Sequence, residues 1–328
     1  MDFEDILLSI IVPVHNTDIR YLDKCLTPLL HITDSHVELV VVDDGSDELT
    51  KNYLNRVMSD CKNSKLLHNE KAQGPNQARA RGMDVCNGKY VYFVDSDDEV
   101  DVNNLQAAMG VLNEVEPDIL VLHSQVIASD GSKKEIHFTD KDMHSRLVQY
   151  MINIAAWWMQ IFKKELFNRK DFELYTESYV GEDLATILPV ATHTDSIFFF
   201  DPLVYSHILR EQSIISSMEL ERVKDILGVT KHIASIEYKY PSNWREEVEW
   251  LAIKHCLYYG ITNAVRCGSK TKKEIKPYYQ TLSNAFPNWK KNKYIHNDCL
   301  NDQISFKLLV NGYWNIYLYF WRLKNIIF

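Results

Sequence analysis

The sequence predicts an α/β protein: an open parallel sheet flanked by helices in its first part, and a helical region over residues 216–328. Three observations carry this. Short continuous apolar runs at 7–12 (LLSIIV), 37–42 (VELVVV) and 90–94 (YVYFV) are of the kind that form strands buried on both faces. Stretches of helical spacing separate them, which requires parallel pairing through right-handed crossovers. Two of the runs stop abruptly on carboxylates, Asp43-Asp44 and Asp95-Ser96-Asp97-Asp98. In a parallel sheet those two ends share one edge, and that edge is where such sheets bind ligands.

Each element has a local reason. Pro13 stops the first strand, and Val14, His15 and Asn16 make the turn after it. Ile19, Leu22, Leu26, Leu29 and Leu30 then share one face of a helix over 18–30. The second strand runs into Asp43-Asp44-Gly45-Ser46, and Leu49, Tyr53, Leu54 and Val57 mark a helix over 48–61. A short third strand (65–68) and a helix over 74–86 that carries Arg79 and Arg81 lead to the strand at 90–94. Beyond Asp98 the pattern gives a helix at 103–115, strands at 118–128 and 135–138 around a polar turn at 131–134, a helix at 184–191, and two strands at 196–200 and 203–209. From Met218 onward, 219–238, 243–266 and 272–286 read as amphipathic helices, with Pro241, Gly268 and Pro287 in the links. A domain boundary is expected near residue 215.

Composition narrows the function. A net charge of −9 argues against a broad nucleic-acid-binding face. The six cysteines form no C-x-x-C pair and have no zinc-site spacing, so a reduced, cytoplasmic protein is expected. The opening M-D-F-E-D is unlike a signal peptide, and no uncharged apolar stretch reaches the roughly 18 residues of a membrane span. No G-x-G-x-x-G follows the first strand and no P-loop motif occurs, which disfavours a nicotinamide dehydrogenase and a P-loop NTPase. A sugar nucleotidyltransferase also binds nucleotide at parallel strand ends, but it needs a glycine- and arginine-rich phosphate loop after the first strand, where P-V-H-N-T-D stands.

The acids at 95–98 point to a cation. Three carboxylates so close repel one another unless a cation or solvent relieves them. Oxygen ligands of this kind suit Mg²⁺ or Mn²⁺ bridging protein carboxylates and substrate phosphates. The bland alternative is a solvated acidic turn that caps the next helix.

Four ordered motifs over about 100 residues then carry a resemblance: S-I-I-V-P-V-H-N (9–16), V-V-V-D-D-G-S (40–46), G-P-N-Q-A-R-A-R-G (74–82) and G-K-Y-V-Y-F-V-D-S-D-D (88–98). They resemble the family 2 glycosyltransferases of GT-A fold, of the type that builds bacterial surface glycans. W-M-Q-I-F-K-K-E-L-F (158–167), G-E-D-L (181–184) and Y-S-H-I-L-R-E-Q-S-I (205–214) are similar to that family's later motifs, and the C-terminal helices lie outside it.

The resemblance implies a catalytic domain over 1–215, its nucleotide-binding half at 1–100 and its acceptor half at 101–215, followed by the helical region. It implies that Pro13, His15 and Asn16 lie beside the base of a nucleoside diphosphate sugar and that Asp44 accepts from a base N–H. Arg79 then belongs near the base or diphosphate, Asp95 and Ser96 at the ribose, and Asp97 on an Mn²⁺ or Mg²⁺ ion at the diphosphate. Asp183 becomes the general base, with Trp158 and Glu182 at the acceptor. The implied reaction is a single inverting displacement from a donor, expected to be a UDP-sugar, to a hydroxyl of a glycan or lipid-linked acceptor. His15 replaces the family's usual tyrosine, Asn76 and Ala80 its serine and asparagine, and Gln160 its lysine, departures that bear on donor identity. The rival of another class is an inactive nucleotide-sugar-binding partner in an assembly complex, which loss of the metal or base carboxylate marks; Asp97 and Asp183 are both present. Asp183 also has a bland reading as the N-cap of a helix starting at Leu184.

The last stretch, 304–328, sets Phe306, Tyr313, Trp314, Tyr317, Tyr319, Phe320 and Trp321 among Lys307, Arg322 and Lys324, with Lys307, Asn311 and Asn315 as one polar stripe. Aromatic and basic residues together suit a membrane surface, here the inner face of the plasma membrane, and the basic runs at 270–276 and 290–293 suit anionic lipid. The competing occupants are the catalytic domain or a second subunit.

Overall fold

The computed structural model describes residues 6–59, 61, 63–138, 142–154, 156–167, 180–194, 196–210, 220–236, 244–297, 300 and 303–327, with the backbone alone at 322–327. Strands β1 (Leu8–Val14), β2 (Val37–Asp43), β3 (Ser64–His68) and β4 (Tyr90–Phe93) lie in the order β3-β2-β1-β4, all parallel, with Leu8 opposite both Val37 and Tyr90. Every residue of β2 and β4 is buried, as their unbroken apolar runs require. The crossovers are the helices α1 (Ile19–Leu30), α2 (Glu48–Met58) and α3 (Pro75–Val85). Asp18 and Asp47 cap the first two by accepting from Arg20 N and Thr50 N.

The sheet then turns mixed. After β5 (Glu99–Val100) and α4 (Val102–Glu114) come β6 (Ile119–Ile127), β7 (Lys133–Ile136), β8 (Gln160–Lys163) and β9 (Ile197–Ile208). β8 is antiparallel to both β4 and β6, β9 runs parallel to β6, β5 pairs β9, and β7 closes a hairpin on β6. The two strands expected around 196–209 are therefore one. Its register against β6 shifts at Leu122–His123 and again at His123–Ser124, leaving Asp201 and Pro202 out of the ladder. Pro202 has no N–H to donate, so it breaks the pattern without ending the strand.

The chain forms two compact units. The sheet unit takes residues 1–141, 156–177 and 194–211; the other takes 142–155, 178–193 and 212–328. Described by itself, the second unit is helical: α5 (Met143–Met151), α6 (Glu182–Ala191), α7 (Asp225–Ser235), α8 (Arg245–Ala252), a π-helical stretch (Ile253–Gly260) running into α9 (Ile261–Arg266), α10 (Lys272–Ala285), α11 (Ile304–Val310) and α12 (Trp314–Ile327). Its core holds Val229, Ile233, Trp250, Leu257, Leu282 and Phe306. The stripe expected from Lys307 through Asn311 to Asn315 is broken, because Asn311 ends α11 and Gly312 turns the chain at φ 75°. No helix among the described residues is long and apolar enough to cross a membrane.

Candidate functional site

Three turns at the carboxyl ends of β1, β2 and β4 are tied into one rim. His15 Nδ1 lies 2.8 Å from the Asp44 carbonyl oxygen, which can only accept, so Nδ1 carries the proton. Asn16, at φ 50°, receives Asp47 N–H on Oδ1 at 2.7 Å, while its own N–H donates to Ser46 Oγ at 3.0 Å. Thr17 and Ser96 share a hydroxyl hydrogen bond of 2.6 Å. The acidic turns 43–46 and 95–98 thus meet across the end of β1, as the sequence reading requires. Pro13 lies on β1 opposite Val42.

Behind this rim sits Asp44, 3% exposed. It accepts from Asn69 Nδ2 at 2.6 Å, from Gln73 N at 2.9 Å and from Gly74 N at 2.8 Å. Its carboxylate therefore binds the loop between β3 and α3. Gly45 makes this packing possible: it stands at φ 67°, and a Cβ there would lie 2.6 Å from Ala72 N. Beside it, burial pushes Asp43 up, but hydrogen bonds from His68 and Ser46 outweigh that and hold it below the usual carboxylate range.

The acids at 95–98 have separate partners. Arg79, 4% exposed, donates to Asp95 Oδ1 at 3.0 Å and to Asn76 Oδ1 at 3.2 Å, with its guanidinium 5.4 Å from the Trp157 ring. Asp97 pairs with Arg210, whose guanidinium also lies 4.9 Å over the Tyr21 ring. Asp98 is fully buried and accepts from Tyr205 Oη at 2.7 Å, His207 Nδ1 at 2.8 Å and Ile208 N at 2.7 Å. The Tyr205 hydroxyl accepts in turn from Asp95 N–H at 3.2 Å. Burial pushes Asp98 up, and the His207 hydrogen bond opposes it. The repulsion expected among these acids is thus relieved by two arginines, a tyrosine and a histidine. Trp158 backs the network, stacked on Tyr205 at 4.9 Å and 2° and on His207 at 5.3 Å and 16°, and is only 7% exposed.

Glu182 and Asp183 belong to the helical unit and stand in the first turn of α6, where the helix dipole favours carboxylates. The reading of Asp183 as an N-cap is corrected: the helix starts one residue before it, and the cap is Gly181 at φ 82°, a conformation that suits glycine. The five described cysteines are free, and Cys25, Cys86 and Cys256 are buried with thiols that burial pushes up, so they are not activated nucleophiles. Sequence reasoning missed Asp98, Tyr205 and His207 as a group. The signal was present as Y-S-H on β9, two polar-tipped rings at strand spacing facing one side.

Comparison with known proteins agrees with this geometry. Residues 9–178 match the family model described as Glycosyl transferase family 2. Glycosyltransferase GlyG of Streptococcus pneumoniae is 26% identical over 238 residues, covering 68% of this chain and 78% of that protein. The GalNAc(5)-diNAcBac-PP-undecaprenol beta-1,3-glucosyltransferase of Campylobacter jejuni is 26% identical over 230 residues, covering 67% and 71%. Among solved structures, S. aureus TarS 1-349 in complex with UDP-GlcNAc superposes with a TM-score of 0.64 at 21% identity over 85% of this chain and 80% of that one. Its complex with UDP gives 0.65 at 17% identity over 93% and 92%.

Proposed function

The chain belongs to glycosyl transferase family 2, has the GT-A fold and is a glycosyltransferase; on that premise we propose that it moves a sugar from a nucleoside diphosphate sugar, a UDP-sugar, to a hydroxyl of a lipid-linked or glycan acceptor, with inversion. The observation that carries this is the single rim at the ends of β1, β2 and β4, which presents the part-exposed carboxylates of Asp95 and Asp97 at 30% and 24% side-chain exposure. The UDP-GlcNAc held by the TarS neighbour supports a UDP-sugar. The polyprenol-linked substrate in the Campylobacter relative's name supports a lipid-linked acceptor.

The residues fit a hard divalent ion. The acidic donors at the rim are the part-exposed carboxylate oxygens of Asp95 and Asp97, and Asp97 already pairs with a cation, the Arg210 guanidinium. Asp97 would hold Mn²⁺ or Mg²⁺, and the bound ion offsets charge on the departing diphosphate. Pro13, His15 and Asn16 flank the base, with Asp44 fixing the loop beside it. Asp95, aimed by Arg79, and Ser96 meet the ribose. Asp183 takes the proton from the acceptor hydroxyl as that oxygen attacks the anomeric carbon. The new C–O bond forms on the face opposite the breaking bond to the diphosphate, so one displacement inverts the centre and no covalent enzyme intermediate arises. Glu182 and Trp158 are assigned to the acceptor.

A peripheral membrane contact belongs to the same proposal. Tyr313, Ile316, Tyr319 and Phe320 are exposed at 56%, 55%, 62% and 38% along the start of α12. Basic groups accompany the aromatic rings of this helix, with Lys272 Nζ 5.0 Å from the Trp314 ring. Aromatic side chains with cations beside them suit an anionic lipid interface.

The test is donor binding and turnover with UDP-, GDP- and dTDP-sugars in the presence and absence of Mn²⁺. Asp97→Ala is expected to lose the metal-dependent part of donor binding. Asp183→Asn is expected to bind donor normally and to lose roughly 10²–10⁴-fold in transfer. Unchanged Mn²⁺ dependence in the first variant overturns the metal assignment, and normal transfer by the second overturns the base.

A further inference from the structure

We propose that His123, Glu135 and His137 form a second site, for a divalent transition metal of the zinc type, on the β6–β7 hairpin of the sheet unit. It shares no residue with the carboxylate rim and does not depend on the glycosyltransferase reading. The ligand atoms of the three side chains all lie within 4.8 Å of one another. Topology explains why they meet. Ser124 pairs with Ile136 in the antiparallel hairpin, so His123 and His137 face each other across the two strands, and Glu135 lies two residues before His137 on the same face.

Hydrogen bonding fixes the state of His123. Its Nδ1 lies 2.9 Å from the Asp201 carbonyl oxygen, which can only accept, so Nδ1 is protonated. In the neutral ring Nε2 then holds a lone pair, and it faces Glu135 Oε2 at 3.5 Å. Two acceptors aimed at each other need a positive charge between them. His123 Nε2 is buried and has no hydrogen-bond partner among the described residues, and its ring is stacked on His137 with centroids 4.1 Å apart and planes 13° apart, so one ring has to turn about its χ2 for both to share an ion. A shared metal ion satisfies the nitrogen lone pair and the carboxylate together. The separation of His123 Nε2 from Glu135 Oε2 suits it: ligands about 2.0–2.1 Å from a tetrahedral ion stand roughly 3.4 Å apart.

The surroundings resemble those of a bound ion. An imidazole whose second nitrogen donates to a backbone carbonyl is the usual arrangement around metal-ligating histidines. Asp201 supplies that carbonyl, and its carboxylate oxygen lies 3.3 Å from His137 Nε2. Asp201 reaches both rings because it belongs to the segment of β9 that slips out of register beside His123. Such irregularities commonly re-aim groups next to sites. Two imidazoles with carboxylates select Zn²⁺, Cu²⁺ or Ni²⁺ over Mg²⁺. The ion would clamp β7 to β6, with Asp201 of β9 holding both rings from outside the ligand set.

The experiment is calorimetric titration of the full chain, stripped of metal, with Zn²⁺ and no nucleotide, alongside thermal melts with and without the ion. The wild-type chain should bind one equivalent at the hairpin and melt at a higher temperature when loaded. His137→Gln, on a part-exposed side chain, should weaken that binding at least about tenfold, and His123→Gln with His137→Gln should abolish both the binding and the thermal shift. Asp97→Ala should leave both unchanged, which separates this site from the proposed catalytic ion. No binding by the wild-type chain at about 100 μM Zn²⁺, or unchanged binding by the folded His137→Gln variant, overturns the site.

Discussion

Asp95, Asp97 and Asp98 carry one side chain within four positions and meet three different environments. Asp98 is a positioning residue: it is fully buried and holds Tyr205, His207 and the end of β9 against the turn. Asp98→Ala would remove the buried acceptor shared by the Tyr205 hydroxyl, His207 Nδ1 and the Ile208 N–H, and we expect a loss of about 3 kcal/mol in urea unfolding. Asp97→Ala removes one half of a part-exposed ion pair, so its stability cost is expected to stay within about 1 kcal/mol while donor binding suffers. Opposite ranks in the two measurements would exchange the roles. The sequence marked the cluster but not this division, because all three of Asp98's donors come from β9, more than a hundred residues away.

At the level of elements, the parallel half was legible because β1, β2 and β4 are continuous apolar runs separated by capped helices. β8 was not. Its four residues, Q-I-F-K, lie between two short 3₁₀ turns and carry no period, yet they sit between β4 and β6 inside the sheet. Only the neighbours, absent from the local pattern, make that segment a strand. The turn after β2 was read for its acids, whereas Gly45 does as much to shape it. Gly45→Ala would impose a left-handed conformation costing about 1–2 kcal/mol and press a Cβ against the backbone of Lys71 and Ala72. We expect the loop gripped by Asp44 to shift and donor affinity, measured by calorimetry, to fall at least about tenfold, one decade being about 1.4 kcal/mol.

For the molecule as a whole, stability should depend on pH through its paired carboxylates. Burial pushes Glu38 up, but the Asn87 N–H, Lys65 and Ser9 outweigh it, and Asp43 is likewise held low by His68 and Ser46. Folded values below the unfolded ones, about 4, mean that this stabilisation is complete above about pH 5 and is lost as pH falls through the lower folded values. Thermal melts should therefore be level near neutrality and drop steeply below about pH 4. A net charge of −9 disfavours indiscriminate adsorption to anionic vesicles, so sedimentation with them should depend on α12. Replacing Ile316 and Tyr319 by serine should reduce sedimentation about tenfold, and a change in subunit number instead would make the patch a contact between copies. The two units are also interleaved, the chain passing between them five times. At ordinary translation rates β9 leaves the ribosome on the order of ten seconds after β4. Until it arrives, β5 has no partner and Asp98 none of its three donors. A nascent polypeptide carrying every acid of the rim is therefore still incompetent, and any fragment cut before Ile197 should stay so.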